Sequence, residues 1–109
     1  MAKGTFSENV VIITGASSGI GRQVAIKLAE QGAWLSLAAR NSENLQEVAN
    51  ICSHLGGKVI AVPADVSNKQ ECKKLIDITL EKYGRIDTLI NNAGFAVAAK
   101  FTEMADLDV

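Results

Sequence analysis

Val10-Val11-Ile12-Ile13-Thr14-Gly15-Ala16-Ser17-Ser18-Gly19-Ile20-Gly21 is the stretch that decides how this chain folds. An apolar, largely β-branched run leads into a turn carrying three glycines, and a helical pattern opens near Ile20. Residues 10–14 read as a short buried strand. A strand, a glycine-rich turn and a helix together form the arrangement that holds a nucleotide pyrophosphate. The N–H groups of the helix start point at the anion, and the helix macrodipole favours negative charge there. Each glycine has a separate reason. Gly15 lets the chain turn sharply off the strand. Gly19 has no side chain to hold a pyrophosphate away, and Gly21 lets the helix pack closely on the sheet. Ser17 and Ser18 offer hydroxyl donors to phosphate. A P-loop is disfavoured, because Gly21 is followed by Arg22 and Gln23 rather than by Lys and Ser or Thr.

Downstream of the turn, strand and helix alternate. Residues 20–31 are a predicted helix with Ile20, Val24 and Leu28 on one face and Gly32 as the stop. Residues 34–39 are a second strand. Leu45, Val48, Ala49, Cys52 and Leu55 repeat at helical spacing over 42–55, before Gly56-Gly57. Residues 58–62 are a third strand, stopped by Pro63. Ser67-Asn68-Lys69-Gln70 has the form of a capping box. The helix it starts carries Cys72, Leu75, Ile76, Thr79, Leu80 and Tyr83 as one stripe and ends at Gly84. Residues 86–91 are a fourth strand, and 95–109 read as loop with the first turns of a further helix. Alternation of this kind implies right-handed crossovers and a parallel sheet covered on both faces. The expected fold is α/β, with strand order 3-2-1-4 and helices on both faces. That is half of a doubly wound sheet, incomplete on its C-terminal side.

Composition narrows the function. The 109 residues are 48% hydrophobic and 21% charged, which suits one folded domain with one core. A formal net charge of −1 supplies neither a basic field for nucleic acid nor a polybasic patch for a membrane. The first nine residues lack the apolar core of a signal peptide. No apolar run approaches the roughly 18 residues of a membrane span. Cys52 and Cys72 have no C-x-x-C spacing, and His54 is the one histidine, so a metal site is not expected. Both cysteines read as small buried core residues of a protein in a reducing, cytoplasmic compartment.

The strand ends carry the remaining signals. Strand two ends Leu37-Ala38-Ala39-Arg40-Asn41. A site for NAD usually places an acid there, bonding the adenine ribose 2′-OH and repelling a 2′-phosphate. The acid is missing and Arg40 is present. A guanidinium pairs a phosphate through two parallel N–H bonds and stacks on adenine; a solvated arginine near a helix start is the plainer alternative. Asp65-Val66 follows strand three. Asp65 has two equal readings there: an acceptor for the adenine amino group, with Val66 against the ring, or a turn carboxylate ahead of the Ser67 cap. Asn91-Asn92-Ala93-Gly94 closes strand four. Its amides can tie neighbouring strand ends together, and its small residues let a ligand approach the backbone.

Taken in order, Thr14-Gly15-Ala16-Ser17-Ser18-Gly19-Ile20-Gly21, Arg40, Asp65-Val66 and Asn91-Asn92-Ala93-Gly94 resemble the motifs of the short-chain dehydrogenase/reductase family. The resemblance runs from about Asn9 to Gly94. It implies a Rossmann-type fold that binds a nicotinamide dinucleotide, NADP(H) by the reading of Arg40. The cofactor contacts it implies are Gly15, Ser17, Ser18, Gly19, Ile20, Gly21, Arg40, Asp65, Val66, Asn92, Ala93 and Gly94. Asp65 and Val66 would meet the adenine, and Asn92 to Gly94 would lie near the cofactor ribose. It also implies a small carbonyl or secondary-alcohol substrate and a homo-oligomer in the whole enzyme.

One departure stands out. The family's chemistry resembles general acid catalysis by a tyrosine in a Tyr-x-x-x-Lys pair, aided by a serine and an asparagine, all placed after the Asn-Asn-Ala-Gly motif. The one tyrosine here is Tyr83, and the fourth residue after it is Asp87 rather than Lys. Tyr83 also lies on the core stripe of the third helix, so no catalytic residue is assigned. The expectation is the cofactor-binding part of a longer NADP(H)-dependent oxidoreductase, inactive as 109 residues alone. The alternatives are a self-sufficient nucleotide-binding module without catalysis and an inactive truncated product.

Overall fold

A computed structural model describes residues 7–92. Ala93, Gly94 and the 95–109 segment lie outside the described residues. The elements follow the order β1 (Val10–Thr14), α1 (Gly19–Glu30), β2 (Trp34–Ala39), α2 (Ser42–His54), β3 (Lys58–Pro63), α3 (Lys69–Tyr83) and β4 (Thr88–Asn91). The four strands form one parallel sheet in the order β3-β2-β1-β4. Expected class and strand order are both observed.

The period-2 alternation of the strands sorts the core into two layers. Val11 and Ile13 of β1, with Leu35 and Leu37 of β2, face α1 and α2, where Ala25, Leu28, Ala29, Leu45, Val48 and Cys52 close over them. Ile12, Ala38 and Val62 face the opposite side and meet Leu75 and Ile76 of α3. β1 is buried along its whole length, which is why it reads as a continuous apolar run rather than an alternating one. Ser36 is the polar exception on the α3 side. Its hydroxyl is hydrogen-bonded to that of Thr79 at 2.7 Å, and Thr79 Oγ1 donates onward to Leu75 O at 2.8 Å. Both hydroxyls are thereby buried with partners.

Four local expectations need correction. Of the expected α1 face, Leu28 is buried and Val24 packs half-buried against the core, but Ile20 does not join them, and the buried face is completed by Gly21, Ala25 and Ala29. Ile20 is 72% exposed. Small residues mark this face because the helix approaches its neighbours closely, and periodicity read from large side chains is displaced by one residue. Secondly, the cap of α3 is Asn68 rather than Ser67. Asn68 Oδ1 accepts from Gln70 N at 2.9 Å and Glu71 N at 3.1 Å, while the Ser67 hydroxyl is engaged with Asp65. Thirdly, Cys72 is half-buried beside the α3 layer, unlike fully buried Cys52, and Leu80 of the expected stripe is exposed. Lastly, Pro63 belongs to β3 and pairs with Ala39. Its missing N–H is tolerated because β3 is an edge strand among the described residues.

The start of β4 is pinned by a side chain. Asp87 Oδ2 accepts from Val10 N at 2.8 Å, and Asp87 N donates to Val10 O at 2.9 Å. Burial works against the Asp87 charge, but the Arg85 guanidinium, the Val10 N–H and Asn9 outweigh it and hold the carboxyl below its ordinary range.

Candidate functional site

All four strands point their C-terminal ends the same way, so the loops that follow them converge. They enclose a cleft of about 750 Å³ whose lining runs from Gly15, Ser17, Ser18, Gly19 and Ile20 through Ala38 to Asn41 and Ala64 to Ser67, with Asn92 at its edge. The cleft lies where the chain order reverses, β1 having β2 on one side and β4 on the other. In open parallel sheets that is the place where ligands bind. Of the residues singled out from sequence, Gly15, Ser17, Ser18, Gly19, Ile20, Arg40, Asp65, Val66 and Asn92 line this one cleft. Gly21 lies behind it, and Ala93 and Gly94 fall outside the described residues.

The glycine turn is built by close approach. A Cβ on Gly21 would lie 2.2 Å from Gly15 O and 2.8 Å from Asn92 Nδ2. Gly21 is therefore required by the turn's own backbone and by the β4 end, rather than by packing on the sheet as expected. Gly19 has φ +58, and a Cβ there would meet nothing within 4 Å. Its side-chain direction opens into space, while its backbone takes a left-handed conformation that suits glycine. Ala16 N donates to Ala38 O at 3.1 Å and holds the turn against the end of β2. Ser18 occupies the N-cap of α1 without bonding the helix through its side chain. The first-turn N–H groups of α1 thus have no side-chain acceptor from the cap residue.

Next to the cleft, the ends of β1 and β4 are joined by side chains. Thr14 Oγ1 donates to Asn91 Oδ1 at 2.8 Å and accepts from Asn92 N at 2.9 Å. Asn92 Nδ2 reaches Gly15 O at 3.4 Å. The expected role of the asparagines in tying strand ends together is met, but sequence reasoning missed the hydroxyl at the centre. The available signal was a threonine directly before the first glycine of the turn, at the end of an otherwise aliphatic strand.

Arg40 follows β2 and is exposed at the cleft. Asn41, next to it, caps α2 by accepting from Asn44 N at 2.9 Å. Across the cleft mouth, Asp65 Oδ1 accepts from both the backbone N–H and the hydroxyl of Ser67. These two bonds, the hydroxyl first, hold the Asp65 carboxyl below its ordinary range, with a smaller contribution from the Arg40 charge. Asp65 is therefore a turn carboxylate that also lines the cleft, so the two sequence readings are compatible.

Tyr83 stands elsewhere. Its hydroxyl donates to Leu35 O at 3.0 Å, near the start of β2, and its ring lies 5.6 Å from that of Trp34. Burial pushes its pKa up to about 12. Among the described residues no cluster of three His, Cys, Asp or Glu side chains is placed to hold a metal ion. No described helix is long and apolar enough to cross a membrane.

A parallel sheet of this order, with a glycine turn after β1 and a cleft at the reversal point, defines a Rossmann-type doubly wound protein. The chain belongs to the short-chain dehydrogenase family, whose sequence profile it matches over residues 9–109. Among curated relatives, 11-beta-hydroxysteroid dehydrogenase-like 2 of Arabidopsis thaliana is 50% identical over 101 residues, covering 89% of this chain and 33% of that protein. 11-beta-hydroxysteroid dehydrogenase 1A of the same plant is 47% identical over 107 residues, covering 94% and 31%. The chain thus spans about a third of the length of the curated relatives it matches. A solved hydroxysteroid dehydrogenase from Escherichia coli superposes with a TM-score of 0.79 at 34% identity, covering 88% of this chain and 41% of that one. Xylitol dehydrogenase bound to NAD+ superposes with a TM-score of 0.80 at 31% identity, covering 84% and 35%.

Proposed function

We propose that these residues are the cofactor-binding part of an NADP(H)-dependent oxidoreductase that interconverts a carbonyl and a secondary alcohol. Arg40 carries the choice of cofactor. It stands at the cleft directly after Ala39, where an NAD site would present an acid. The residues present fit a dinucleotide: the open Gly19 direction and the uncapped start of α1 suit a pyrophosphate, and Arg40 suits a 2′-phosphate.

When bound, the nicotinamide ring would supply or accept the hydride, and this chain would hold and orient it. Gly15, Ser17, Ser18 and Gly19 would cradle the phosphates, with Gly21 behind them allowing the close turn. Ile20, exposed at the rim, would give an apolar contact, and Asp65 and Val66 would receive the adenine. Asn92 would sit near the cofactor ribose. None of these cofactor contacts is assigned the transfer of the alcohol proton. The relatives' names make hydroxysteroids the first substrates to assay. A reducing, cytoplasmic setting remains part of this reading, on the sparse cysteine usage of the sequence.

The test titrates NADPH and NADH against the full-length protein and its Ala39→Asp/Arg40→Ala variant. A charge-assisted bond to the 2′-phosphate is worth about 10- to 100-fold in affinity. Equal wild-type affinities, or an NADPH preference that survives in the variant, would sink the assignment.

A further inference from the structure

Asp65 is held more firmly than a residue in a surface turn needs to be. Its carbonyl accepts from Asn68 N at 2.9 Å. Its Oδ1 is taken twice by Ser67. Its backbone N–H donates to Glu71 Oε1 at 2.8 Å, a part-buried bond reaching back from the first turn of α3. Asp65 Oδ2 alone has no hydrogen-bond donor among the described residues. Glu71 does not spend this carboxylate on its own helix, because Asn68 already accepts from the Gln70 and Glu71 N–H groups. One residue earlier, Ala64 N donates to Ala39 O at 3.0 Å, so the strand ladder stops just before Asp65. Glu71 takes over where β2 no longer supplies an acceptor.

We infer that Glu71 is a positioning residue for the adenine end of the cofactor site: through the Asp65 N–H it fixes the Asp65-Val66 turn so that Asp65 keeps one carboxylate oxygen available at the cleft. This rests on the dinucleotide reading above. Without the bond, the Asp65 N–H has no protein acceptor, and the turn is anchored by Asn68 and Ser67 alone. Rotation of the peptide before Asp65 then moves the carboxylate and Val66 together. The phosphate cradle at the start of α1 and the Thr14 junction belong to other elements and stay in place. The structural role is thus confined to one end of the ligand.

The experiment compares full-length wild-type protein with Glu71→Ala, Glu71→Gln and Glu71→Asp. Calorimetry measures binding of NADPH, of adenosine 2′,5′-bisphosphate as the adenine half, and of reduced nicotinamide mononucleotide as the other half. Glu71→Ala should weaken NADPH and the bisphosphate by a common factor of up to about ten, the size of one hydrogen bond lost between the adenine end and a displaced Asp65. Binding of the mononucleotide should not change. Glu71→Gln keeps an oxygen acceptor at the same reach and should bind nearly as wild type, whereas Glu71→Asp is too short and should resemble Glu71→Ala. In turnover assays the cofactor KM should rise while kcat at saturation holds. If Glu71→Ala fails to fold, the Gln and Asp pair carries the same contrast. Wild-type affinity for the bisphosphate in both Glu71→Ala and Glu71→Asp would overturn the role of Glu71 and leave the cofactor reading standing. Equal losses for all three ligands would also overturn it, since they would mark a general loosening. A wild-type protein that bound none of the three would overturn the cofactor reading, and the role of Glu71 with it.

Discussion

Thr14 donates its hydroxyl proton to Asn91 Oδ1 at 2.8 Å, across the β1–β4 pair at the point where both strands end. The same oxygen accepts from Asn92 N, so one side chain sets the height of the β4 end relative to the glycine turn. Thr14→Val keeps the shape and removes both bonds. It leaves the Asn92 N–H without its acceptor and should destabilise the fold by about 1–3 kcal/mol. Thr14→Ser, which keeps the hydroxyl, should recover most of that. Urea denaturation of the full-length protein checks the order. Equal stability of the Val and Ser variants would show that the junction contributes nothing.

The two glycines of the α1 start fail in different ways when a methyl is added. Gly21→Ala places a carbon 2.2 Å from Gly15 O, a backbone atom that cannot swing aside. Overpacking of this kind costs about 1–3 kcal/mol and sometimes more, and it should displace the turn and abolish cofactor binding. Gly19→Ala meets nothing within 4 Å, yet it must adopt φ +58. That conformation costs about 1–2 kcal/mol for an L-residue. Its loss of cofactor affinity should therefore exceed its loss of stability, a split that thermal melts and NADPH titration resolve. A Gly19→Ala protein that binds NADPH as wild type would remove Gly19 from the phosphate cradle.

Acid should weaken the β1–β4 edge through Asp87. The folded pKa of this carboxyl lies below its ordinary value of 3.8. Its stabilising effect is therefore complete above the unfolded value and fades as pH falls through the lower folded value. Unfolding free energy followed from pH 6 downward should drop more steeply in wild type than in Asp87→Asn. Parallel pH curves would contradict the assignment.

Tyr83→Phe removes the hydroxyl that bonds Leu35 O. A small stability loss of about 0.5–1.5 kcal/mol is expected. In the full-length enzyme, kcat and its pH profile should stay unchanged, because Tyr83 packs on Trp34 at the start of β2, far along the strand from the cleft. A collapse of kcat with stability intact would make Tyr83 a catalytic group.

Much of this fold is legible in the sequence. The strands β1 and β2 begin and end where apolar runs and glycine punctuation put them, since both are buried along nearly all of their length and nothing competes with the pattern. Arg40 and Asp65 could be placed at strand ends because a parallel sheet sends all its C-terminal loops to one side. The illegible parts are those where geometry, not residue type, decides. Ile20 looks like a core residue until the close approach at Gly21 rotates it outward. Ser67 looks like a cap until Asp65 claims its hydroxyl and Asn68 takes over. The Thr14 junction spans two motifs that only the sheet order brings together.

The bonds that bracket the β1–β4 pair, Val10 to Asp87 at one end and Thr14 to Asn91 at the other, each join residues 77 positions apart. Pairing over such a separation must overcome a large loop-closure entropy and is slow to form. β1 meets β2 through one short crossover, whereas its pairing with β4 closes a loop that holds three helices and two strands. Among the described strand pairs, β1–β4 therefore carries the largest loop-closure cost. Side-chain clips at both ends of a four-residue strand, Thr88–Asn91, give that short, long-range ladder a grip that its backbone bonds alone would not provide.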